Sequence, residues 1–146
     1  MKRLSPILLL ACVIPTSMHG QRVEVPVLQQ NATTSLVELA RIRGVIVDAY
    51  LARIPNSNLL LQRKERNEFR DVKSVKSDKI GGFEFEEALP GTYRLIASAP
   101  GFCEVTIPIR LSKSGWSGLK LTLPVGATDT PLGYCPSEAR IEQLEK

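Results

Sequence analysis

Residues 81–95 read GGFEFEEALPGTYRL. Phe83 and Phe85 alternate with Glu84 and Glu86, so an extended segment here has one apolar and one acidic side. Leu89-Pro90-Gly91 breaks the run, and alternation resumes at Tyr93 and Leu95. Proline presets a turn dihedral and glycine tolerates the left-handed region, so the pair marks a corner between two strands. The phenylalanines and Tyr93 then fill one core from either side of that corner.

The same period of two extends both ways. In RIRGVIVD (41–48), Ile42, Gly44 and Ile46 share a face. SNLLLQR (57–63) follows a turn signal at Pro55-Asn56. DVKSVKS (71–77) is more polar, as an edge strand is. TYRLIASA (92–99) and EVTIPIRL (104–111) alternate cleanly, and GLKLTLP (118–124) repeats the pattern. Pro108 has no N–H to give, which predicts an edge or a bulge at that point. Seven strands joined by turns predict an all-β antiparallel sandwich, dry between its sheets. Its variable loops are then 49–57, 63–71 and 112–118. The stretch RKERNEFRDVK (63–73) mixes both signs and reads as a solvated hairpin loop.

The flanks differ in character. Residues 1–20 carry Lys2 and Arg3, an apolar run from Ile7 to Ile14, and then Pro15. That is the layout of a secretory signal, and the run is too short to span a bilayer. A cut after Gly20 is the preferred reading. The alternative is a lipobox, LLLAC at 8–12, which puts a lipid on Cys12. Residues 21–40 read as a lead-in with no sustained period. They contain a glycosylation sequon at Asn31, relevant only in a eukaryotic secretory route. Residues 125–146 read as an irregular tail ending in a short helix: Ser137 is an N-cap, Glu142 and Lys146 are spaced i,i+4, and Ile141 and Leu144 share a face.

Removing the signal changes two counts. Lysine and arginine fall from 19 to 17 against 15 acids, leaving a net charge of +2. That is too little for a nucleic-acid partner, which needs a concentrated basic face. Cysteines fall from three to two, Cys103 and Cys135, in an oxidising compartment. They are expected to form a disulfide; two separate buried thiols are the alternative.

The single histidine, His19, lies inside the signal. His-based triads, His-ligated zinc and His general bases therefore have no residue to use in the mature domain. Asp48 and Asp78 each end a strand before a turn, where aspartate accepts local backbone N–H bonds; a carboxylate pair for metal or acid–base work is the weaker reading. Trp116, in the small-residue turn SKSGWSG, is the candidate ligand-binding aromatic, with Tyr50 and Tyr134 as candidate flanking rings. A cap over the end of the sandwich is the plain structural alternative for Trp116.

Three pieces, in order, carry a family resemblance. They are Gly44, Ile46 and Asp48 in the first strand; SDKIGGFEF (77–85); and ALPGTYRLIASAPGF (88–102). From Arg41 to about Leu123 the chain resembles the carboxypeptidase regulatory-like domain, a transthyretin-like, carbohydrate-binding-like fold. The resemblance implies a seven-stranded antiparallel Greek-key sandwich at 41–124 and says little about activity. The family's glycine turn after the first strand is replaced by AYLARIPNS (49–57). Transthyretin-related hydrolases and intradiol dioxygenases share related folds but need histidines that this domain lacks.

The sequence thus leads to a secreted or periplasmic, non-enzymatic sandwich without cofactor, metal or transmembrane span. Its expected partner is an envelope or extracellular protein, or a polysaccharide bound through Trp116. An exposed sheet edge at 71–77 suits a partner strand.

Overall fold

The computed structural model describes residues 35–126, 135 and 139–144. Nine strands run through them: β1 (Val37–Leu39), β2 (Ile42–Val47), β3 (Asn58–Glu65), β4 (Glu68–Lys76), β5 (Gly82–Phe85), β6 (Gly91–Ser98), β7 (Val105–Leu111), β8 (Gly118–Thr122) and β9 (Arg140–Leu144). They form a five-stranded sheet, β1-β7-β6-β3-β4, and a four-stranded sheet, β5-β2-β8-β9. The alternation read from the sequence sets which faces meet. Leu59 and Leu61, Tyr93 and Leu95, Ile107 and Ile109 from one sheet are buried with Ile42 and Ile46, Phe83 and Phe85, Leu119 and Leu121 from the other. The Phe83 and Phe85 rings meet edge to face, 6.4 Å between centroids.

The sandwich is mixed, not purely antiparallel. β1 runs parallel to β7, and β2 parallel to β8. The closest approach of the second pair depends on a missing side chain. A β-carbon on Gly44 would sit 2.0 Å from the Leu119 carbonyl oxygen.

Four further expectations are corrected. The lead-in contains a strand, since Val37–Leu39 pairs with Ile109–Leu111. The tail is not helical at Arg140–Leu144, which pairs antiparallel with β8 from Gly118↔Leu144 to Thr122↔Arg140. Five residues with two apolar positions are too few to set a period, and the open edge of β8 decides the conformation. Third, no long loop spans 63–71: β3 and β4 run to Glu65 and from Glu68, leaving a turn at Arg66-Asn67. Apart from Arg66, the charged residues there are strand residues. Fourth, β7 is an interior strand between β1 and β6, and its ladder with β6 has no bulge. Yet the β1 ladder begins only at Ile109, so Pro108 stands just outside it, where no N–H is called for on that side.

Candidate functional site

Strand directions sort the connections into two ends. At one end lie the β2–β3 connection, the β4–β5 turn and the β6–β7 turn. At the other lie the β3–β4 and β5–β6 turns and the β7–β8 connection. Trp116 belongs to the second end and Tyr50 to the first, so they share no surface. Tyr134 lies outside the described residues, as do Cys12, His19 and Asn31.

Trp116 is held by its backbone. Its N–H donates to the Glu38 carbonyl at 3.0 Å, and its carbonyl accepts from the Ala40 N–H at 2.7 Å. The connection thereby closes the outer side of β1, and Ser112 N–H donates to the Leu39 carbonyl beside it. Gly115 fits because a β-carbon there would lie 2.2 Å from the Leu39 carbonyl carbon. The Trp116 residue remains 38% exposed, so it is a partial cap with an open part.

Asp48 and Asp78 do the backbone work expected of them. Asp48 Oδ1 accepts the N–H groups of Tyr50 and Ala52, both at 2.8 Å. Asp78 Oδ1 accepts those of Ile80 at 2.9 Å and Gly82 at 2.7 Å. Each carboxylate braces its own loop. Among the described residues, no group of three or more His, Cys, Asp or Glu is arranged to hold a metal.

Cys103 and Cys135 form a disulfide, with Cα atoms 6.0 Å apart. It ties the tail carrying β9 to the start of β7, where Cys103 N–H also donates to the Pro124 carbonyl at 2.9 Å. A disulfide implies an oxidising, extracytoplasmic compartment. No helix among the described residues is long and apolar enough to cross a membrane.

The outer edge of the larger sheet is β4, nine residues long and mostly exposed. Leu61 pairs with Lys73 and Gln62 with Asp71, leaving Val72 as an extra, bulged residue. A bulge twists an edge and limits how much of it another strand can follow. The straight part is Lys73–Lys76. On the sheet's outer face, Phe69 carries the Arg94 guanidinium 4.3 Å above its ring, and Arg94 also bonds Gln62, which donates to Asp71 at 2.5 Å. This network fixes the far half of the edge, and nothing in the sequence pattern announces it.

A family model for the carboxypeptidase regulatory-like domain matches residues 41–124, more than half of the chain. The chain belongs to this family. No curated protein matches it. The family positions serve architecture here: Asp48 and Asp78 brace turns, and Tyr93 is buried with its hydroxyl donating to the Leu89 carbonyl across the Pro90-Gly91 corner. Ser77, also buried, accepts the Ser57 N–H and donates to the Ile54 carbonyl, both at 2.9 Å.

Proposed function

We propose that this carboxypeptidase regulatory-like domain is a secreted or envelope-associated, non-catalytic module that binds another protein. The observation that carries the reading is the unpaired edge of β4, nine residues long against four in the edge strand β5 and five in the edge strand β9, with a straight segment at Lys73–Lys76. Main-chain groups along such an edge supply affinity to an added strand, and side chains supply selectivity. Each aspartate at the strand ends gives Oδ1 to its own loop amides, which supports a bracing role over acid–base work. The signal-like first twenty residues and the disulfide agree with export.

A photo-crosslinking residue at Ser74 tests this in the native host. A discrete protein adduct from position 74, absent from position 106 inside the sheet, supports strand addition. Equal or no labelling at both positions refutes it.

A second reading is carbohydrate binding at Trp116, favoured by a ring that is partly open on a backbone held at both N–H and C=O. As the single tryptophan, Trp116 gives an unmixed fluorescence signal in titrations with soluble glycans. A saturable response to one glycan class favours this reading; a flat response to all removes it.

A further inference from the structure

At the end opposite Trp116, the loop leaving β2 and the loop entering its neighbour β5 share one design. Asp48 Oδ1 gathers the amides two and four residues onward, and Asp78 Oδ1 does the same in its own loop. The loops are stitched together. Ile46 N–H donates to the Gly81 carbonyl at 2.8 Å, and a β-carbon on Gly81 would lie 3.5 Å from Cβ of Arg53. What this rigid pair displays is apolar: Tyr50 is 91% exposed, Ile80 69% and Leu51 62%. Leu51 is also held at φ 65°, a left-handed conformation that a bulky side chain adopts only under constraint.

The two loops carry a small excess of positive charge, Arg53, Lys76 and Lys79 against Asp48 and Asp78. Arg53, Lys79 and Lys76 are exposed, and none makes an ion pair with a carboxylate among the described residues. The two acids within these loops, Asp48 and Asp78, each direct an oxygen at their own loop amides, and exposed Glu104 lies at the same end. Large exposed apolar side chains on two braced loops that also carry exposed cations match an anionic lipid interface. There the rings and aliphatic chains enter the acyl boundary while the cations meet the headgroups.

We propose that Tyr50, Leu51 and Ile80 form a docking tip for an anionic membrane surface, with Arg53, Lys79 and Lys76 contacting lipid phosphates. The tip orients the sandwich on the envelope from outside the bilayer. This goes beyond the strand-addition reading, since the partner is lipid and the surface shares only Lys76 with the β4 edge; either can fail without the other.

The test uses the full chain as its host exports it, carrying Cys12→Ser so that no lipid on residue 12 contributes. It is co-sedimented with vesicles of phosphatidylcholine containing a minority of phosphatidylglycerol, and with vesicles of phosphatidylcholine alone. Binding is expected to the mixed vesicles and to fall with added salt. The combined Tyr50→Ser, Leu51→Gly, Ile80→Ser variant is expected to lose binding by about tenfold or more. Arg53→Gln with Lys79→Gln is expected to lose about fivefold per charge on mixed vesicles alone. Unchanged thermal unfolding of both variants shows that the sandwich is intact. The proposal is overturned if wild type binds neither vesicle, or if the apolar variant binds as wild type does. A tip that crosslinks to a protein without any vesicle binding overturns it as well.

Discussion

Gly44 and Tyr93 hold the sandwich by opposite means, one through an absent side chain and the other through a large one. The carbonyl of Leu119 occupies the space where a Gly44 β-carbon would project, and a backbone atom in a parallel ladder cannot swing aside as a side-chain end can. Gly44→Ala must push β2 from β8, and overpacking of this kind costs about 3 kcal/mol or more. Urea denaturation should show the midpoint falling accordingly. Tyr93 is buried along β6, and its hydroxyl satisfies the Leu89 carbonyl. Tyr93→Phe keeps the ring and strips that carbonyl of its donor, a loss of about 1–2 kcal/mol by the same measurement. The corner quoted from residues 81–95 therefore has two functions, filling the core and closing its own turn. The inward positions of Phe83, Phe85 and Tyr93 follow from alternation alone. The 2.0 Å approach at Gly44 does not, because it belongs to a strand 75 residues away in the chain.

Among the elements, the same distinction between local and distant causes separates what the sequence discloses. β2, β3, β5, β6, β7 and β8 fall where period-two runs and turn residues place them, because each buries one face. Parallel pairing leaves no such trace: β1 joins β7, and β2 joins β8, without a tight turn between partners. β1 is three residues long, and β9 puts only Ile141 against the core. The candidate surfaces are legible in part. Trp116 and the 71–77 edge are visible as residue types, whereas the bulge at Val72 and the pairing of the Asp48 and Asp78 loops arise from chain contacts. β9 also lends itself to a direct test. It is mostly exposed, carries one ion pair, Lys120–Glu142 at 2.6 Å, and is moored through Cys135. With a separation of 32 residues between the cysteines, losing the disulfide removes about 3–4 kcal/mol in the chain-entropy model. Hydrogen exchange of Cys135→Ser should show the amides of Arg140–Leu144 losing protection first, while those of β6 and β7 track the global loss. Uniform acceleration across all strands would mean that β9 unfolds only with the whole domain.

Across the whole molecule, the two ends act as separate surfaces on one rigid body. β2 links them directly, and its six residues span roughly 17–20 Å. An interfacial tip enters only about 5–10 Å past the headgroups. If the Tyr50 end meets the membrane, Trp116 stays in water on the far side. Vesicles should then leave Trp116 emission unmoved even at saturation. Moving the reporter tests the orientation: Tyr50→Trp in a Trp116→Phe background should shift to the blue with the same vesicles and become protected from aqueous quenchers. A blue shift of Trp116 itself in the native chain would mean the opposite end docks, and would join the lipid and aromatic surfaces into one. A silent Trp116 beside a responsive position 50 leaves the β7–β8 connection and the β4 edge facing outward, where a protein or glycan can reach them.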